Sequence, residues 1–421
     1  MSAEIAEAFI EFLFQKYDMK NLKGHIPTLL KIWRNNGNSS SLNQKEYDAV
    51  SSALLKLQRG LTGKRELAGA GYMENRDFLG AYLLYYWPVT YTQVQMALKT
   101  TALNGLDFRQ FNQKEELRIL DLGSGPGPAG ISLCDFFFNG NVRKIHVTAA
   151  DFSAKALAMA EKIYREDFKD AAVTVKKVVS NFENNSLEKS LAFSNSSNDK
   201  KFDLIVMSHA LNELWKEEKS ACEKRKSFLD QVCNFLSDDG ILFLMEPALL
   251  KTSRALIELR NYLVEKNFFA VSPCCGKEKC PVLADGENIT CHGEYSWKPL
   301  PLVDEIARRA KLERNSVKMT FFVFRKNALE KPEKNIYTVV SEGMLNKSGR
   351  IRFLLCDGKK RIACSAKKDD LHAKETGFFD LNRYDKIILE NPEIRGENKD
   401  AFGISKETAI AHPLQQRDSH C

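Results

Sequence analysis

The stretch Leu117–Gly127 reads LRILDLGSGPG: an apolar run closed by Asp121, then three glycines at alternate positions, then the helix-like ISLCDFFF. A buried strand that must turn sharply into a helix constrains the fold more than any other feature. Glycine supplies the turn without a Cβ in the way, and the helix start leaves N–H groups unpaired. The second strand, KIHVTAAD, follows about 25 residues on and ends at Asp151. AKALAMAEKIYRED has helical periodicity, and VTVKKVV, FDLIVMS and GILFLMEP are further apolar runs separated by helix-length segments such as EKRKSFLDQVCNFL. Strands alternating with helices predict an α/β protein with a doubly wound, mostly parallel sheet and right-handed crossovers. LVDEIARRAKL then reads as a helix and VKMTFFVFRK as the strand that closes the sheet.

The chain has 421 residues, enough for two or three domains. Residues 1–112 read as a helical N-terminal domain. IAEAFIEFLFQKY spaces Ile5, Phe9, Phe12 and Phe14 along one face, and Val50, Leu54, Leu57 and Leu61 repeat the pattern across a polar loop, RNNGNSSSLNQ. In MENRDFLGAYLLYYWPVTYTQVQMAL the apolar face is broad, and Pro88 is expected to break or kink it. Residues 113–334 form the alternating domain, with a cysteine loop over 272–293. Within it, NNSLEKSLAFSNSSNDK has the composition of a long surface loop. Residues 335–400 hold short strands with Gly turns, predicting a small β-barrel or sandwich, and the chain beyond about 400 is expected to fray.

Hydrophobic residues at 43% and charged residues at 28% exclude a largely disordered chain. No apolar run approaches the roughly 18–20 residues that cross a bilayer, so no membrane partner is expected. Glu4, Glu7 and Glu11 stand where an export signal would carry basic residues, so a cytoplasmic location is expected. Ten cysteines are then expected as free thiols unless a subset holds metal. Cys134, Cys222 and Cys233 sit among apolar helical residues, whereas the other seven lie from Cys274 onward.

The glycine loop offers a carboxylate or phosphate the N-terminus of a helix, and Asp151 can accept from ribose hydroxyls. A dinucleotide fingerprint fits poorly, because Pro128 and Ala129 occupy the spacing before Gly130. Asp-x-Gly-x-Gly-x-Gly after the first strand resembles the first motif of the class I S-adenosylmethionine-dependent methyltransferases. That resemblance implies a Rossmann-like sheet, with Asp121, Gly123, Gly125 and Gly127 holding the methionine end and Asp151 the ribose. Ser124 lies inside the same loop. Asn181, after the third strand, stands where many members place an acid beside the adenine. The fourth strand ends at Ser208-His209 without the Asn/Asp-Pro-Pro-aromatic motif common for nucleobase nitrogens, and no nucleophilic Cys stands near it. His209 is a candidate base or a packing residue; the catalytic residues are unknown.

From Pro273 the chain reads PCCGKEKCP and then, from Cys291, CH. Thiolates on an irregular Gly/Pro loop can converge on one ion or cluster. The spacing of Cys274, Cys280 and Cys291 is not the paired C-x2-C of zinc knuckles, and proline beside Cys274 and Cys280 is a common setting for iron–sulfur ligands. Zinc and iron–sulfur both remain open on spacing.

AYLLYYWPVTYTQ, DLGSGPG, MEP at the fifth strand and PC-x5-CP followed by CH occur together, from about residue 60 to 370. The combination resembles the methyltransferase-like family of mitochondrial small-ribosomal-subunit assembly factors, with its bacterial and archaeal relatives. The resemblance implies a [4Fe–4S] cluster, with Cys274, Cys280 and Cys291 as three ligands. It implies a fourth from the small domain, where Leu355-Cys356-Asp357-Gly358 matches. Cys275 stands where the family has proline and is a decoy or an alternative ligand; Cys364 is a rival to Cys356 but is expected to point into the small domain's core. If Cys356 is the ligand, cluster loss is expected to loosen the small domain more than it perturbs cofactor binding.

Between Lys298 and Leu371 stand 18 Lys+Arg and 9 Asp+Glu, so the chain's net +7 is concentrated there. Arg308, Arg309, Lys311, Arg314, Lys318, Arg325, Lys326, Lys347, Arg350, Arg352, Lys359, Lys360, Arg361, Lys367 and Lys368 predict a phosphate-binding face, with Phe353, Phe378 and Phe379 as candidate stacking rings or core aromatics. Two readings follow. One is an S-adenosylmethionine-binding, iron–sulfur protein that methylates small-subunit ribosomal RNA or its precursor particle. The other is a non-catalytic RNA-binding assembly factor that keeps the cofactor fold.

Overall fold

The computed structural model describes residues 20–35, 41–62, 75–139, 142, 144–169, 172–192, 201–274, 278–312, 315–327, 335–396 and 400–411. The helix expected over residues 5–17, Cys275 and Arg314 lie outside them.

Helix α1 (Lys20–Arg34) buries Leu22, Ile26, Leu29, Leu30 and Trp33 along one stripe, the 3.6-residue period of a surface helix. In α2 (Gln44–Thr62), Val50, Ala53, Leu54 and Leu57 do the same. Its start is a reciprocal cap: the Glu46 N–H donates to Asn43 Oδ1 at 3.0 Å, and the Asn43 N–H to Glu46 Oε2 at 3.0 Å. Next, α3 (Arg76–Ala81) is capped by the Asn75 side chain and passes through a π turn, Tyr82–Tyr86, into α4 (Trp87–Leu103). Pro88 therefore does not end the helix. The Trp87 N–H reaches back five residues to Tyr82, and this widened turn carries the axis past the proline.

Eight strands form the first sheet, seven in the order β3 (Val173–Val179), β2 (Lys144–Asp151), β1 (Glu116–Leu122), β4 (Phe202–Ser208), β5 (Leu236–Pro247), β8 (Ser316–Arg325), β6 (Phe269–Ser272), and β7 (Gly293–Ser296) also on β8. Strands β1 to β5 pair in parallel and β8 runs antiparallel between β5 and β6. This is an α/β, doubly wound, Rossmann-like sheet. Helices α5 (Pro128–Asn139) and α6 (Ala154–Asp167) share a core with α1–α4 on one face, while α7 (Ala221–Asn234) and α8 (Leu250–Glu265) cover the other. The N-terminal helices thus have no core of their own. Leu29, Trp87 and Ile131 belong to one apolar cluster with the sheet.

His25 joins the two parts at one buried point. Its Nδ1 lies 2.5 Å from Asp167 and its Nε2 2.8 Å from Asp135, while the Tyr91 hydroxyl donates to Asp135 at 2.5 Å. Burial lowers the His25 pKa, yet the hydrogen bonds to Asp135 and Asp167 outweigh it and raise it to about 9.

The second sheet is the small C-terminal β region, ordered β14 (Glu393–Arg395), β15 (Ala401–Gly403), β12 (Arg361–Lys367), β11 (Arg350–Cys356), β9 (Ile336–Val339), β13 (Lys386–Glu390), β16 (Ala409–Ala411), with β10 (Met344–Leu345) on β11. Strands β15 and β16 correct the expected fraying past 400, since they pair with β12 and β13. The polar tract after Asn184 is corrected as well: Leu187–Ala192 is helical because Leu187 and Leu191 are buried.

Candidate cofactor and cysteine sites

β1 is flanked by β2 and β4, so successive crossovers leave it in opposite directions and open a crevice at its C-terminal end, where ligands of such sheets bind. The register aligns Asp121 with Ala149 and Val206, and Asp151 with Val179, so the acids that end β1 and β2 lie at one edge. Gly123, Gly125 and Gly127 have φ of +70°, +53° and +82°, the left-handed region that favours glycine. A Cβ at Gly123 would also stand 2.4 Å from the Ala210 Cβ. The Gly123 and Ser124 N–H groups both donate to the Ala150 carbonyl, and buried Ser124 closes the turn by accepting from the Gly127 N–H at 2.9 Å.

Asp121 is buried. One carboxyl oxygen accepts from the Gly130 N–H at 3.0 Å, and the other, Oδ1, is buried without a partner. Burial lifts its pKa to about 7 against the pull of that N–H, and nearby Asp151 adds to the rise. Asp151 accepts from the Gly125 N–H at 2.9 Å and the Ser153 N–H at 2.8 Å, so it also braces the loop. Beside it, Phe152 is 59% and Val179 60% exposed, an apolar pair at the same sheet edge. Sequence reasoning passed over both; an aromatic directly after the strand-ending acid was the available signal. Asn181 is exposed, and its Oδ1 is engaged by the Glu183 N–H at 2.9 Å in a local turn.

His209, at φ +57°, follows β4 next to Ala210 and thus to the glycine loop. Its Nε2 lies 2.9 Å from Gln93 Oε1, and the Gln93 amide nitrogen donates to the Lys318 carbonyl. That fixes the imidazole proton on Nε2 and leaves buried Nδ1 as a bare, unpartnered acceptor. Burial lowers the His209 pKa to about 4, so the ring is neutral. At the end of β5, buried Glu246 accepts from the Asn212 backbone and side-chain amides, and burial lifts it to about 8.

Cys274, Cys280 and Cys291 lie on the loop between β6 and β7, and Cys356 ends β11 in the small domain. All four are unbridged. Burial pushes the Cys280 thiol up to about 11, with Cys274 adding to it. The Cys291 thiol rises to about 12 through burial and then through Cys280. Burial also raises Cys356, followed by the nearness of Cys274, Cys291 and Cys280. The fold therefore brings the four sulfurs of two domains into one neighbourhood. Cys364 stays out of it, buried at the centre of the small domain beside Phe353 and Leu355. Among the described residues no three His, Cys, Asp or Glu side chains converge closely enough to hold a single ion.

The loop is shaped from outside, by residues the sequence did not single out. Arg254 of α8 donates to the Gly286 and Ile289 carbonyls at 2.7 Å each, and Asn261 accepts from the Cys280 N–H at 2.8 Å. Thr320 of β8 donates to the Cys291 carbonyl at 3.0 Å.

Many of the basic residues are already paired: Arg308 and Arg309 with Glu305, Lys318 with Glu294, Lys326 with Asp238 and Arg361 with Asp285. Arg350, Arg352 and Lys367 share the outward face of the β11–β12 hairpin, since Arg350 lies opposite Lys367. Phe353 and Phe378 are buried against each other in the small domain, which corrects their candidacy as stacking rings.

No curated protein matches the chain in sequence. Among solved structures it is similar to a precorrin-6y C5,15-methyltransferase from Geobacter metallireducens, at 11% identity and TM-score 0.31, over 55% of this chain and 88% of that one. It is also similar to an S-adenosylmethionine-dependent O-methyltransferase from Thermotoga maritima, at 15% identity and TM-score 0.30, over 56% and 67%. NSun6 from Pyrococcus horikoshii matches at 14% identity and TM-score 0.32, over 54% of this chain and 51% of its own length. The family described as "Mitochondrial small ribosomal subunit Rsm22" matches residues 77–372, a span that runs from the helix before the π turn through the glycine loop to all four clustered cysteines. The chain is a member of that family.

Proposed function

We propose that this protein binds S-adenosylmethionine at the β1–β2 edge, holds an iron–sulfur cluster on Cys274, Cys280, Cys291 and Cys356, and acts on small-subunit ribosomal RNA or its precursor particle. The observation that carries the cofactor reading is the partnerless, buried Asp121 Oδ1 beside three left-handed glycines. It is an acceptor awaiting a cationic or N–H-bearing ligand on a loop that admits close approach. Bound there, the methionine end faces Asp121 and the glycine turn, the ribose faces Asp151, and Phe152 with Val179 flank the base. The donor set of four soft thiols suits iron–sulfur or zinc. Family membership and the cationic hairpin face support the RNA partner. The thiols call for a reducing compartment, cytoplasmic or, as the family's description would have it, mitochondrial.

A second reading, a non-catalytic assembly factor, is favoured by His209. Its ring is neutral and held through Gln93 inside the protein, so the base that the sequence offers is a buried one. The deciding experiment incubates the protein with methyl-labelled S-adenosylmethionine and immature small subunits. Label on the RNA establishes the methyltransferase. Tight particle binding with cofactor bound and no label establishes the assembly factor.

A further inference from the structure

Tyr384 belongs to the small domain, yet its side chain is 1% exposed inside the core of the other. It holds φ +72°, a region unfavourable to a bulky residue, and is fixed there from several sides. Its N–H donates to the Val339 carbonyl at 2.7 Å, and its carbonyl accepts from the Asn104 amide at 3.3 Å. The ring meets Phe321 of β8 edge-on with centroids 5.6 Å apart. On the opposite strand, a Cβ at Gly293 would stand 2.9 Å from the ring, so glycine there makes room for it. The result is a hydroxyl 3.7 Å from the Cys291 sulfur. Neighbouring Arg383 donates to the His292 carbonyl at 3.4 Å, so the small domain grips both residues of that Cys-His pair.

We propose that Tyr384 is a positioning residue of the cysteine site, whose hydroxyl donates a hydrogen bond to the Cys291 sulfur when that sulfur is a cluster-bound thiolate. The inference rests on the iron–sulfur reading above. A donor to a ligating sulfur withdraws charge from it and stabilises the more negative, reduced cluster, which raises the reduction potential. The small domain thereby sets the potential through Tyr384 as well as supplying Cys356.

The test uses the full chain, purified and reconstituted anaerobically with iron and sulfide. Tyr384→Phe keeps the ring packing and removes only the hydroxyl. Iron content should match that of the unsubstituted protein, while the midpoint potential from an EPR-monitored titration moves to more negative values. An unchanged potential with the cluster intact overturns the proposal. Should the variant not fold, resonance Raman of the unsubstituted protein in H2O and D2O decides: an iron–sulfur stretch that shifts on deuteration supports the donor, and no shift overturns it. A colourless, iron-free unsubstituted protein overturns the cluster reading itself, and this failure is distinct because it is seen before any substitution is made.

Discussion

The Lys386 ammonium, buried in the small domain, donates to the Asn104 carbonyl at 2.9 Å, at the residue that ends α4. The Asn104 amide in turn donates to the carbonyl of Pro273, the residue before Cys274, at 3.3 Å. At the other end of α4, the Trp87 indole N–H donates to the Pro126 carbonyl in the glycine loop at 3.2 Å. Seventeen residues at 1.5 Å each make α4 a rod of about 25 Å. One helix therefore touches the glycine loop, holds His209 through Gln93, and ends against the cysteine loop and the small domain.

Replacing Lys386 with Met should leave the Asn104 carbonyl without its charged donor. Loss of such a bond costs about 1.5–3 kcal/mol. Hydrogen exchange of β9 and β13 amides should then speed up roughly tenfold to a hundredfold, while β1 and β2 amides stay protected.

Gly123→Ala combines a left-handed φ with a methyl 2.4 Å from the Ala210 Cβ. Strain of about 1–3 kcal/mol from the dihedral alone adds to the overlap. Chemical denaturation should give a stability loss of about 2 kcal/mol or more, together with lost S-adenosylmethionine binding. A stability equal to that of the parent protein would show that the loop is not confined as described.

Asp151→Ala removes both the ribose acceptor and the brace on the Gly125 and Ser153 amides. Calorimetry should record an affinity for S-adenosylmethionine at least roughly tenfold weaker, given about 1.5–3 kcal/mol per charged hydrogen bond. Unchanged affinity would remove Asp151 from the cofactor site.

His25 gives a pH signature. Its folded pKa of about 9 stands above the ordinary 6.5, so the folded state binds the proton more tightly than the unfolded one. The resulting stability is present in full below pH 6.5, declines as pH rises, and is gone above about 9; the shift amounts to roughly 3 kcal/mol. Thermal melts from pH 6.5 to 9.5 should show this decline, and it should vanish in His25→Asn. That variant should be less stable at pH 6.5, since Asp135 and Asp167 lose their cation.

Cys356→Ala should abolish iron retention after anaerobic reconstitution, whereas Cys364→Ala should keep the full iron content and visible absorption. Retention in the first and loss in the second would exchange their roles.

What could be read in the sequence was local. Apolar runs the length of a strand, each followed by a helical segment, place β1 to β5 because a buried parallel strand needs no alternation. The left-handed glycines and the acids ending β1 and β2 are legible because backbone conformation at a tight turn depends on the residue itself. Long-range partnership was not legible, and direction was settled only by packing. Cys356 and Cys364 are both cysteines of one hairpin; Cys356 ends its strand at the cysteine loop, while Cys364, opposite Phe353, points into the core, and only the packing of the sheet decides which face is inside. The same decision buried Phe353 and Phe378, and long-range pairing neutralised many of the basic residues. Tyr384 and His25 carry no local mark, because each acts on groups nearly a hundred or more residues away in the chain, brought within reach only when the two sheets and the N-terminal helices close on one another.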